Sequence, residues 1–210
     1  MPLAVAANIL NDIGMTAEEG TSQADQVRFV IIRTLNVAVE LGVYLVLLPG
    51  FRRSAIDNPL ALARTIEVLR WACFEAHARG LLLAYESVLV PEQLLQLIKQ
   101  VDSPSLRLVL DTGNISAVGL DPVVILQIAF PVLAGQLHIK NFYDKKPLGT
   151  GSRAVSDTLD ELSRIDFSVD ALVLENDYRD GELARISADI SWLRNYLLTQ
   201  KINHPCATQN

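Results

Sequence analysis

Leu106-Arg107-Leu108-Val109-Leu110-Asp111-Thr112-Gly113-Asn114 decides how this chain is read. An apolar run closes on a carboxylate, and a glycine and an amide follow. The pattern recurs. Glu86 closes Leu81-Leu82-Leu83-Ala84-Tyr85, His138 closes Gly135-Gln136-Leu137, and Glu175 closes Ala171-Leu172-Val173-Leu174. A short apolar run bounded by polar or turn residues reads as a buried strand of a parallel sheet. In barrels and open α/β sheets, the groups that do chemistry sit at the carboxyl ends of such strands. Taken singly, each of these residues is a turn or helix-cap residue. Together, three carboxylates and one imidazole converging at strand ends make a hard, oxygen-rich site for a divalent cation.

Working outward, strand-like and helix-like segments alternate. Strands are expected near Leu3–Leu10, Val43–Leu48, Leu81–Glu86, Leu106–Asp111, Gly135–Lys140 and Ala171–Glu175. Helices are expected near Ala24–Leu41, Asn58–Arg79, Pro91–Gln100, Asp121–Leu133, Val155–Arg164 and Glu182–Thr199. Asn58-Pro59 and Asp121-Pro122 each pair an N-cap with proline at the first helical position. Gly42 and Gly80 stop their helices before the next strand. Six βα units imply an α/β fold with a parallel sheet and right-handed crossovers. No linker or charge block divides the chain, so residues 1–200 read as a single domain and 201–210 as a polar tail.

Half of the 210 residues are apolar and the net charge is −6. No basic stripe exists for nucleic acid. No apolar stretch reaches the ~20 residues that span a membrane, and the N-terminus makes a poor signal peptide. The two cysteines, Cys73 and Cys206, form no metal pair or disulfide framework, which suits a reducing cytoplasm.

Six units fit either a doubly wound sheet or part of a (β/α)₈ barrel, which has about 250 residues. The four polar strand ends lie on successive strands. Successive strand ends ring one axis in a barrel, so barrel curvature is favoured.

The chain resembles the xylose isomerase-like TIM-barrel superfamily of sugar isomerases and epimerases, over about Leu3 to Leu197. The resemblance is carried by 41–50 (LGVYLVLLPG), 111–117 (DTGNISA), 137–141 (LHIKN) and 148–151 (LGTG). The nearest likeness is to L-ribulose-5-phosphate (L-xylulose-5-phosphate) 3-epimerases. The resemblance implies that Glu86, Asp111, His138 and Glu175 are the metal ligands, with Glu86 and Glu175 also the acid/base pair. Such an enzyme removes the proton beside a carbonyl and returns one on the opposite face, which needs two bases. A divalent ion would hold the cis-enediolate oxygens. Mn²⁺ or Mg²⁺ suits the ligand set, and Zn²⁺ or Co²⁺ is compatible with it. Asn114 stands where the phospho-sugar branch carries Asn and free-sugar enzymes more often carry His. Lys140, two residues after His138 and on the same strand face, is expected to meet a substrate oxygen or phosphate. Arg52 and Arg53, after Pro49-Gly50, are read equally as phosphate ligands or as a solvated pair.

The chain departs from the superfamily in places. The first two βα units of the (β/α)₈ pattern are not recognised, which leaves an open barrel edge that a second copy could cover as a homo-oligomer. The superfamily's Asp after His-x-Lys is Asn141 here, and Ser152–Ser156 lacks the usual acidic-aromatic pair. The expected function is therefore 3-epimerisation of a ketose or ketose 5-phosphate, with a sugar or sugar phosphate as the small-molecule partner. Two alternatives stand beside it: an inosose dehydratase-like lyase, and a truncated paralogue that binds a sugar or partner without turnover. The superfamily's DNA-repair endonuclease fits badly, because three histidines are too few for a multi-zinc site and the chain is acidic. His77, His204, Trp71 and Trp192 are given no chemical role.

Overall fold

The computed structural model describes residues 3–142, 146–179, 181 and 183–200. The chain packs as two compact units, Met1–Val109 and Leu110–Asn210. The tail 201–210, with His204 and Cys206, lies outside the described residues, as does Glu182.

The first unit is built on four parallel strands, β1 (Val5–Ala6), β2 (Leu45–Pro49), β3 (Leu82–Glu86) and β4 (Leu106–Val109), in sequence order across the sheet. Every residue of β2 is buried, as expected of strands covered on both faces. The register sets Glu86 beside Pro49 on one side and Val109 on the other.

Helices α2 (Ser22–Leu41), α3 (Pro59–His77) and α4 (Pro91–Val101) join these strands. Helix α2 buries Val27, Ile31, Leu35 and Ala38, one stripe at helical spacing. Thr21 caps its start by accepting from the Ala24 amide, and Gly42 ends it at φ 64°, a left-handed turn that a glycine makes without strain. The Asn58-Pro59 cap forms as expected, with the Asn58 side chain accepting from the Ala61 amide at 2.8 Å. Cys73 is fully buried on α3, and burial pushes its thiol up to about 11.

One expectation is corrected here. The strand read over Leu3–Leu10 is only Val5–Ala6, and the chain then turns into a short helix, α1 (Leu10–Ile13). Tertiary hydrogen bonds hold that turn. Buried Ser54 donates to the Leu10 carbonyl at 2.6 Å and accepts from the Met15 amide at 2.9 Å. Four residues cannot show a helical period, so α1 is invisible to pattern reading.

The second unit contains α5 (Thr112–Ala117), α6 (Pro122–Ala129), β5 (Gln136–Ile139), α7 (Ala154–Arg164), β6 (Ala171–Leu174) and α8 (Leu183–Gln200). Strands β5 and β6 are parallel, with His138 beside Val173. Helix α6 stops at Ala129 and a 3₁₀ turn covers Phe130–Val132, where Pro131 interrupts the helix read to Leu133. Helix α5 was not anticipated, since its residues are poor helix formers. No helix among the described residues is long and apolar enough to cross a membrane.

A buried carboxylate organises this unit. Asp189 on α8 is 1 % exposed. It accepts from the Leu148 amide at 2.7 Å, from Asn176 Nδ2 at 2.8 Å and from the Tyr178 hydroxyl at 2.7 Å. Burial and this hydrogen bond raise the Tyr178 phenol above its ordinary range. Asp189→Ala would orphan three donors and is expected to cost about 3 kcal/mol, read as a lower midpoint in urea. A midpoint within experimental error of the wild type would contradict this account.

Candidate metal and substrate site

Asp111, His138 and Glu175 come together in the second unit, each at the carboxyl end of its apolar run. The backbone makes this arrangement. Asp111 and His138 form an isolated parallel bridge, and the His138 amide donates to the Leu110 carbonyl at 2.8 Å. The Glu175 amide then donates to the Ile139 carbonyl at 3.0 Å. One donor atom from each of the three side chains lies within 4.8 Å of the others. His138 Nδ1 stands 3.0 Å from Glu175 Oε1. Asp111 and His138 are each 2 % exposed, while the Glu175 side chain is 36 % exposed.

Asp111 is also a cap. Its Oδ1 accepts from the Asn114 amide at 2.7 Å at the start of α5. Capping and site membership thus coexist in one carboxylate, with one oxygen on the helix. Partial burial pushes the Glu175 carboxyl up. The hydrogen bond and charge of His138, with Asp111 and Lys140, outweigh it and hold Glu175 below the usual carboxylate range. It therefore stays ionised at neutral pH. Two carboxylate oxygens and an imidazole nitrogen within one small volume could hold a divalent cation.

Lys140 and Asn114 meet as well, with Lys140 Nζ donating to Asn114 Oδ1 at 3.1 Å. Thr112 clamps the same strand end, donating to the Lys140 carbonyl at 2.8 Å while accepting from its amide at 3.0 Å. Gly113 makes the approach feasible. A Cβ there would lie 2.6 Å from Lys140 Cγ and 2.9 Å from the Asn141 carbonyl oxygen. An open cleft of about 510 Å³ is lined by Lys140, Glu175, Asn176, Asp177, Tyr178 and Arg179. Arg179 forms a two-pronged pair with Asp177, at 2.7 and 2.9 Å.

Asn141 explains one departure in the sequence. Its Nδ2 donates to the Pro147 and Thr150 carbonyls at 2.9 and 3.0 Å, and its amide donates to Asn176 Oδ1 at 2.8 Å. A carboxylate has no proton to offer those carbonyls.

Within the first unit, Glu86 is 6 % exposed at the end of β3, and its carbonyl accepts from the Gly50 amide at 2.7 Å. Arg52 and Arg53 are exposed and engage the α1 segment of their own unit. Arg52 pairs with Asp12 Oδ1 at 3.0 Å and Arg53 donates to the Asp12 carbonyl at 3.2 Å. Sequence reasoning missed Gln136, Asn176, Tyr178, Arg179 and Asp189. Asn176 to Arg179 directly follow Glu175, and a loop after a barrel strand is where site residues gather, so that position was the available signal.

These features define a parallel α/β protein with a carboxylate-imidazole site at its strand ends. The chain matches the model of the xylose isomerase-like TIM barrel family over residues 2–196, and it belongs to that family. It is 46 % identical over 196 residues to a 2-epi-5-epi-valiolone 7-phosphate 2-epimerase from Actinoplanes sp., covering 91 % of this chain and 71 % of that protein. Among solved structures it is similar to an L-ribulose 3-epimerase, with a TM-score of 0.75 at 19 % identity over 91 % of this chain and 73 % of the other. It is also similar to the IolI protein with a binding zinc atom, with a TM-score of 0.74 at 18 % identity over 95 % and 77 %.

Two substitutions test the local geometry. Gly113→Ala is expected to destabilise by about 2 kcal/mol through overpacking against Lys140 and the Asn141 backbone. Asn141→Asp is expected to cost about 2 kcal/mol, because a carboxylate would face two carbonyls. Thermal and urea unfolding read both, and wild-type stability in either variant would refute the contact assigned to it.

Proposed function

We propose that this chain is a divalent-metal-dependent epimerase of a phosphorylated polyhydroxy ketone. The observation that carries the reading is the convergence of Asp111, His138 and Glu175 at strand ends. Glu86 is proposed as the fourth ligand, on its place at the end of β3 and its match to the family pattern. A bound ion would supply Lewis-acid stabilisation of negative charge developing on the substrate oxygens. The single family match over residues 2–196 supports treating both packing units as one domain.

The chain's own residues do the rest. Glu175, ionised and reachable from the cleft, takes or returns the proton on the carbon beside the carbonyl. Glu86 is proposed as its counterpart on its match to the family pattern, since return of a proton to the opposite face needs a second base. Lys140, held by Asn114, offers a cation to a substrate oxygen or phosphate.

The substrate named for the 46 % identical relative favours a cyclic ketone carrying a phosphate, epimerised at C2. A ketose 5-phosphate epimerised at C3 is the second reading, supported by Asn114 in the 111–117 segment, where the phospho-sugar branch carries Asn. Both need the same proton transfer. Incubation in D₂O with 2-epi-5-epi-valiolone 7-phosphate and, separately, with ketose 5-phosphates distinguishes them by which carbon gains deuterium. Water loss instead of epimerisation would point to the lyase. No exchange with any of these, from a folded protein that binds Mn²⁺, would favour a binding protein without turnover.

Glu175→Gln is expected to lower turnover at least about 10³-fold with little change in stability, and near-wild-type turnover would sink the acid/base assignment. Calorimetric titration with Mn²⁺ is expected to show one site that His138→Ala loses. Equal binding by both proteins would overturn the ligand assignment.

A further inference from the structure

Gln136 lies two residues before His138 on β5, so both side chains leave the same face of the strand. It is 7 % exposed, and its amide nitrogen is 2.8 Å from His138 Nε2. The two ring nitrogens therefore have separate neighbours. Nδ1 looks toward Glu175 at 3.0 Å, and Nε2 looks toward Gln136. Gln136 Oε1 is buried and has no hydrogen-bond partner among the described residues.

A carboxamide is nearly symmetric about its terminal bond, and a half-turn exchanges its oxygen and nitrogen. The two orientations select different imidazoles. With the amide nitrogen donating to Nε2, the ring proton sits on Nδ1, on the side where Asp111 and Glu175 converge. With Oε1 turned to the ring, Nε2–H donates to it and the Nδ1 lone pair faces the carboxylates. Only the second arrangement presents three donors to a cation.

We infer that Gln136 is a positioning residue, which accepts from His138 Nε2–H and so makes Nδ1 the metal-binding nitrogen. The inference rests on the metal reading given above. A neutral amide does this without adding negative charge to a site already rich in carboxylate. It also holds the ring plane through a hydrogen bond between two buried side chains.

The test compares wild type, Gln136→Leu and Gln136→Glu by Mn²⁺ calorimetry. Leucine removes the acceptor and is expected to weaken binding about 10–100-fold. Glutamate keeps an acceptor at the same reach and is expected to restore affinity to within a few-fold of wild type. Long-range ¹H–¹⁵N NMR of the Zn²⁺-loaded wild type is expected to place the His138 proton on Nε2. Wild-type affinity in the leucine variant, or a proton on Nδ1 in the loaded protein, would overturn the inference. The spectrum decides the matter on wild type alone if a variant does not fold. Failure of the metal reading looks different: wild type would bind no Mn²⁺, or bind it as tightly after His138→Ala.

Discussion

The backbone hydrogen bond from His138 to the Leu110 carbonyl is the constraint on which the second unit depends. It sets Asp111 and His138 opposite each other as a parallel pair. The next bond, from Glu175 to Ile139, adds the third member in step. In parallel strands every residue is offset by a fixed rise, so one slip of register would turn each side chain to the other face. The site is therefore as well defined as the ladder beneath it, and the ladder is held by buried aliphatic residues such as Leu137 and Ile139.

Polar residues around that ladder are satisfied by partners distant in sequence. Asp189 receives the Leu148 amide, Asn176 and Tyr178, and Asn176 in turn receives the Asn141 amide. This network ties α8 to the strand-end segments that carry Lys140 and Glu175. It is costly to assemble, since a buried carboxylate must find donors for its lone pairs. Once complete it is rigid, because removing any member leaves another unsatisfied. The proton transfer proposed for this site needs such fixed positions.

Acidic groups gathered in a small volume repel one another, and something must offset the repulsion. In the second unit His138 and Lys140 do so in part, which is why Glu175 stays ionised despite partial burial. Asp111 caps α5 through Oδ1 and also belongs to the strand-end cluster. The bland reading of such a residue as a cap and the chemical reading as a ligand are compatible rather than exclusive.

The polar ends of four apolar runs could be read without coordinates, because buried parallel strands are near-continuous in apolar residues and any polar residue closing one stands out. The same reasoning located β2 to β6 and the caps at Asn58 and Asp121, which depend on local backbone chemistry. It could not find α1, whose turn is held by Ser54 across 44 residues, nor α5, whose helix rests on the Asp111 cap and on Thr112 clamping Lys140. It could not pair Arg52 with Asp12, find the carbonyls that Asn141 serves, or see that Asp189 is buried. Chain pattern determined which residues stand at strand ends. Tertiary structure alone decided which of their atoms meet, since hydrogen-bond partners far apart in sequence leave no period or spacing to read.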